Sequence, residues 1–111
     1  MINLKIYVDE NDKEYDILIG QSQGENDAII RSSNQNDTWF HLEKNSGPHI
    51  IFQNNGDKIP KRYFNQIAGM FPQYKSKLSN RYSVIYTELK NVKLTITPGQ
   101  VNVSNTKIIK I

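Results

Sequence analysis

Leu4, Ile6 and Val8 alternate with Asn3, Lys5 and Tyr7, so the start of the chain predicts a strand with one buried face. Tyr15-Asp16-Ile17-Leu18-Ile19, closed by Gly20, predicts a second strand. Asp9 to Lys13 between them is turn chemistry, which makes residues 2–19 a hairpin. Gly24 to Arg31 reads as a short helix, and Ser32 to Asn36 as polar loop. Thr38–Leu42 and His49–Gln53 predict two further strands, joined by Glu43-Lys44-Asn45-Ser46-Gly47-Pro48. Strand side chains alternate between faces. If Phe40 and Leu42 face Ile50 and Phe52, any even register gathers Trp39, His41, His49 and Ile51 on the opposite face, and a one-residue slip breaks that grouping.

The period changes after Ile59. Ile59, Tyr63, Ile67, Met70 or Phe71, Tyr74 and Leu78 recur every three or four residues, the apolar stripe of one long helix with Pro60 at its first position. Pro72 interrupts that stripe, because an interior proline removes a helical hydrogen bond, and predicts a kink or two shorter helices. Strand patterns return at Tyr82–Thr87, Val92–Thr97, Val101–Val103 and Lys107–Ile111, with a Pro98-Gly99 turn. The expected fold is α+β: a single compact domain over residues 1–111, of antiparallel-type strands with a central hairpin and one main helix, kinked or divided at Pro72.

A length of 111 residues suits one domain with an ordinary core. At 37% hydrophobic and 23% charged, the chain is too apolar for a disordered tail and too polar for a membrane protein. It holds no apolar run of membrane-spanning length and no signal-like stretch at its start, so the expectation is a soluble, cytoplasmic protein that does not engage membranes. With no cysteine, disulfides, thiolate catalysis and Cys-based zinc or iron–sulfur sites are excluded.

Charge is divided unevenly. Residues 1–57 carry four basic and ten acidic side chains, and residues 58–111 carry ten basic ones and only Glu88: −6 against +9. Such asymmetry points to a polyanionic partner. The competing account is codon bias, since 15 Ile, 13 Asn and 11 Lys stand against 2 Ala and 3 Arg.

A family pattern runs through the same segments. Asp37-Thr38-Trp39-Phe40-His41, His49-Ile50-Ile51-Phe52, Tyr86-Thr87 and Pro98-Gly99-Gln100-Val101 resemble, in that order, the NFACT-R domain. This is the RNA-binding module of the NFACT proteins of ribosome-associated quality control and of small eukaryotic coiled-coil-domain proteins. Gly20 and Glu25-Asn26 fall where that family places a Gly and a Glu-Asn before its first helix. The resemblance covers about residues 15–111, and Trp-Phe-His with the downstream His is its specific part. Departures lie at Gly47-Pro48, at Ile67-Ala68-Gly69-Met70 and at Pro72. The resemblance implies a non-catalytic domain whose partner is RNA, with tRNA and ribosomal RNA as candidate species and no particular one singled out.

Bases stack on aromatic faces while Lys and Arg neutralise phosphates, so the candidate RNA contacts combine both types. The candidate cations are Lys61, Arg62, Lys75, Lys77, Arg81, Lys90 and Lys93; the candidate platforms are Trp39, Tyr63, Tyr74 and Tyr82. Helical spacing makes core packing the better account of Tyr63 and Tyr74. Trp39 stays open between core and platform. His41 and His49 read either as a hydrogen-bonded structural pair or as ligand contacts, and in a groove they would tighten RNA binding at mildly acidic pH. A metal would need Asp37 or Glu43 as further ligands, so two His without Cys make a poor site. A Ser46–His49–Asp37 triad lacks a nucleophile elbow, and Gly20 to Gly24 lacks the spacing of a phosphate loop. The expectation is no enzyme and no cofactor. The alternative is a protein-interaction module that docks an acidic partner or competes with a larger NFACT protein.

Overall fold

The computed structural model describes all 111 residues. The alternating start forms β1 (Ile2–Val8), which pairs antiparallel with β2 (Lys13–Gly20), opposing Leu4 to Ile17 and Ile6 to Tyr15. A single tight turn, Asp9–Asn11, joins them, and Asp12 takes the left-handed conformation (φ 47°) that Asp tolerates better than most residues. α1 (Gln23–Ser32) begins in a capping box: Ser22 Oγ accepts from the Glu25 N–H, and the Glu25 carboxylate accepts from the Gln21 N–H.

The central hairpin is β3 (Thr38–Leu42) and β4 (His49–Phe52), with Trp39 opposite Ile51 and Phe40 opposite Ile50. That register has the even parity expected. The expected long helix is divided: α2 (Lys61–Ala68) stops at Gly69, and α3 (Phe71–Tyr74) is one turn with Pro72 in it. Proline is tolerated in a first turn because that N–H has no helical partner, so Pro72 starts a helix instead of kinking one. Pro60 lies just outside α2 with an extended ψ of 141°, one place ahead of the first helical residue.

β5 (Ser83–Glu88), β6 (Val92–Leu94), β7 (Val101–Val103) and β8 (Lys107–Lys110) complete the chain. Six strands form one antiparallel sheet in the order β1-β2-β4-β3-β5-β8, while β6 and β7 pair separately. The architecture is a compact α+β fold, with a Cα radius of gyration of 13.0 Å.

The sheet is packed on both faces. Phe40, Leu42, Ile50 and Phe52 join Ile17, Ile19, Val84 and the α2–α3 residues Tyr63, Ile67 and Phe71 in the larger core. Trp39 and Ile51, on the opposite face, join Leu18, Ile29, Ile30, Leu89 and Val92 in a smaller core under α1. The Ile59-to-Leu78 stripe therefore packs as a stripe although the helix is broken. Strand parity sends the odd residues of the hairpin to the smaller core. His41 and His49 are the next odd positions beyond Trp39 and Ile51, His49 buried and His41 half-buried.

Candidate nucleic-acid interface

One step past the Trp39–Ile51 pair, the same register sets His41 opposite His49, and their ring centroids lie 4.8 Å apart. His41 stacks on Trp39 with planes 5° apart and centroids 5.6 Å apart. The Trp39 indole Nε1–H donates to His49 Nδ1 at 3.1 Å, so the His49 proton resides on Nε2. His41 Nδ1 lies 2.8 Å from the Leu42 carbonyl oxygen; because a carbonyl only accepts, Nδ1 is the donor. Trp39 is 1% exposed and His49 2%, while His41 is half-buried. Trp39, open in the sequence between core and stacking platform, is core: it is too enclosed to receive a base, and it positions both histidines.

Two glycines let neighbouring elements reach this triplet. Gly20 lies opposite His49 across β2–β4, and a Cβ there would come within 2.4 Å of Asn26 Oδ1. With no side chain in the way, Asn26 reaches in from α1 to accept the His49 backbone N–H at 3.1 Å. Gly99 (φ +78°) makes the same allowance for the Pro98-Gly99 turn, where a Cβ would meet Gln23 Cγ at 2.8 Å. Its N–H donates to Asp27 Oδ1, which docks the β6–β7 hairpin on α1.

What remains between these parts is a cleft of about 770 Å³, with Trp39, His41 and His49 at its floor. The start of α1, the Pro98–Val101 turn, the 43–48 loop and the Tyr74-Lys75 pair form its walls. Burial, and secondarily the neighbouring His41, hold His49 far below the usual imidazole range, at about 3. His41 is also lowered by burial, against the opposing pull of the Leu42 and Gly47 carbonyls, and Lys75 pushes in the same direction as burial. Both rings are neutral near pH 7, and His49 remains so in mild acid. The expected gain of binding on mild acidification is therefore removed for His49.

The candidate cations do not form one patch. Lys75 borders the His cleft and Arg81 a second cleft of about 620 Å³, which also holds Tyr82 and Lys110. Lys44 and Asn45 line both clefts, so the two share the 43–48 loop as a border. Sequence reasoning missed Lys44 and Lys110; Lys44 sits in the loop it treated only as a connector. Lys61 and Arg62 lie at the start of α2, where Arg62 is paired with Glu10 at 2.5 Å. Lys90 pairs with Glu88 at 3.5 Å and borders a third cleft with Lys58 and Lys107. Lys77 and Lys93 are exposed and line none of these clefts.

Of the other candidate platforms, Tyr63 is buried and donates to Glu10, and the Tyr82 hydroxyl donates to the Ala68 carbonyl. Tyr74 is half-buried at the cleft wall. Asp37 does not meet His49. Its carboxylate accepts the Asn34 and Asn55 backbone N–H groups at the other end of β3, which dissolves the paper triad. Nowhere do three His, Asp or Glu side chains converge on a metal-sized site, and no helix is long and apolar enough to cross a membrane.

Known proteins are similar to this chain. The coiled-coil domain-containing protein 25 of Bos taurus and that of Mus musculus are each 29% identical over 109 residues, covering 91% of this chain and 52% of the relative. The chain thus spans about half the length of these curated relatives. Among solved structures, the C-terminal of the fibronectin/fibrinogen-binding protein from Streptococcus suis superposes with a TM-score of 0.78. It is 22% identical, over 96% of this chain and 44% of that one, and the likeness is one of fold. The sequence pattern of the NFACT protein RNA binding domain matches residues 5–105, from within β1 to just past β7. With the Gly20–Asn26–His49 link, the His41–His49 cleft and the Pro98-Gly99 turn all inside that match, the chain belongs to the NFACT protein RNA binding domain family.

Proposed function

We propose that this domain binds RNA without catalysis, through the His41–His49 cleft and the unpaired cations beside it. One observation supports the reading above the rest: two clefts that share Lys44 and Asn45 carry Lys44, Lys75, Arg81 and Lys110, none of which has an acidic partner, while Arg62 and Lys90 are neutralised within the fold. Unpaired cations along a groove attract phosphates and release counterions on binding, a sequence-independent term that dominates nucleic-acid affinity. Lys61, Lys77 and Lys93 serve as peripheral charges in this reading, and Trp39 acts by holding His49. The family description names RNA as the ligand class.

The test is affinity capture from a cell lysate with and without RNase, followed by binding of the recovered RNA over a salt series. Partners lost on RNase treatment and a log–log salt slope of roughly −2 to −3, as about three to four phosphate contacts on a single strand require, support the reading. Protein partners that survive RNase, with no RNA retained at low salt, refute it in favour of an acidic protein ligand.

A further inference from the structure

The floor of the His cleft is neutral and directional, which a phosphate site is not. Trp39 fixes the His49 tautomer with its proton on Nε2. No hydrogen bond within the chain uses that atom, and no sealed side-chain nitrogen is left without a partner, so His49 Nε2–H opens onto the cleft. His41 donates from Nδ1 to Leu42, which leaves its Nε2 an acceptor on the facing ring. The two facing rings, with centroids 4.8 Å apart, thus carry one donor and one acceptor. Phosphate oxygens only accept, and a His41 lone pair repels them. The edge of a nucleobase presents a donor next to an acceptor and satisfies both rings.

The surroundings set the direction of the strand. At the start of α1 Ser22 Oγ accepts the Glu25 N–H and the Glu25 carboxylate, paired with the Met1 ammonium at 2.9 Å, accepts the Gln21 N–H, so an acidic group already stands there. The cations of the lining are Lys75 and Lys44, and the 44–45 segment also borders the cleft that holds Arg81 and Lys110. A volume of about 770 Å³ lies within the range of sites that enclose a small organic group.

We propose that the His41–His49 floor seats one unpaired nucleobase and that the phosphates beside it run over Lys44 towards Arg81 and Lys110. The inference rests on the RNA reading and adds the position of the base, the path of the backbone and a preference for unpaired strands. A paired base has its edge engaged and cannot enter.

Three probes separate the parts: an RNA of about ten nucleotides, an abasic ribose-phosphate chain of equal length, and the same RNA in a duplex. The wild-type protein is expected to bind the RNA at least about fivefold more tightly than either the abasic chain or the duplex. His49→Asn places an amide oxygen near the Nδ1 position, keeping an acceptor for Trp39 while removing the Nε2 donor. It should erase the RNA-to-abasic ratio and leave abasic binding within about twofold. Lys44→Glu should lower RNA and abasic binding by a common factor. If His49→Asn does not fold, His41→Ala, at a half-buried ring, must show the same loss of ratio. Equal wild-type affinity for RNA and abasic chain overturns the inference and leaves the RNA reading standing. Absence of binding to every probe at low salt overturns both, and a ratio unchanged in the folded histidine variants removes the floor from the site.

Discussion

The indole Nε1–H of Trp39 donates to Nδ1 of His49 at 3.1 Å across the central hairpin. The bond joins a residue at the centre of the smaller core to one at the floor of the cleft, so packing on one side fixes a tautomer on the other. Trp39→Phe keeps most of the buried volume and strips the donor. The expected cost is about 1–3 kcal/mol, since His49 Nδ1 loses its partner inside a buried site. Trp39→Ala adds a cavity and should cost about 3–5 kcal/mol. Urea denaturation followed by far-UV circular dichroism measures both, and a Trp39→Ala cost below about 1 kcal/mol would contradict the buried placement.

Gly20→Ala should destabilise the fold and disturb the same site. A Cβ at Gly20 would meet Asn26 Oδ1 at 2.4 Å and the Asn26 backbone nitrogen at 2.9 Å, and backbone cannot move aside cheaply. Asn26 would release the His49 N–H, for a loss of about 1–3 kcal/mol. Asn26→Ala removes the same acceptor directly. The two effects should therefore be non-additive, with the double variant less destabilised than the sum of the singles. Additive losses would show that Gly20 and Asn26 act separately.

Stability should fall with pH in a window that histidines control. The folded His49 refuses a proton until about pH 3, whereas in the unfolded chain it accepts one near 6.5. The unfolded state therefore binds more protons below pH 6.5, and stability present above that value is lost as pH falls towards 3. By pH 5 the loss from His49 alone amounts to about 2 kcal/mol, and the lowered His41 adds to it with the same sign. The depressed carboxylates Glu10, Glu25 and Asp57 lose their contributions only at lower pH, near and below their ordinary values. Urea midpoints at pH 7.5 and 5.0 measure the drop, which should shrink in His49→Asn. An imidazole signal of His49 that titrates between pH 6 and 7 would contradict the burial argument.

How much of this was legible in the residues depends on what fixes each feature. Strand alternation is local, so the period of Ile2–Val8 and the parity of Trp39, His41, His49 and Ile51 followed from sequence order, and the observed register agrees. Pro72 signalled an interruption, but where α2 ends depends on how Gly69, Met70 and Phe71 pack against the sheet. Charge was the least legible. The excess of cations in the second half is plain, yet Arg62 and Lys90 are cancelled by Glu10 and Glu88, and only the fold pairs Arg62 with Glu10. Lys44 and Lys110 join Lys75 and Arg81 through a loop and an edge strand far apart in the chain. The neutrality of His49 likewise arises from the burial that Asn26, α1 and the β6–β7 turn complete.

That distribution of charge makes the last prediction a comparison between two charge reversals of equal size. Lys44, Lys75 and Arg81 line the two clefts that share Lys44 and have no ion-pair partner, whereas Lys61, Lys77 and Lys93 line neither cleft. Replacing either set with Glu changes the net charge by the same amount, so any effect of overall charge is common to both variants. The first triple substitution should reduce RNA affinity at low salt at least about tenfold and flatten the salt slope by roughly 0.7 for each phosphate contact removed. The second should change affinity far less and leave the slope nearly as it was. Both sets stand away from the packed cores, so neither should shift stability by more than about 0.5 kcal/mol per substitution, which thermal melts would check. Fluorescence anisotropy with one labelled RNA, repeated across a salt series, reads both quantities. Equal losses in the two variants would mean that binding follows net charge and not the clefts, and would return the second-half cations to the account in which codon usage placed them there.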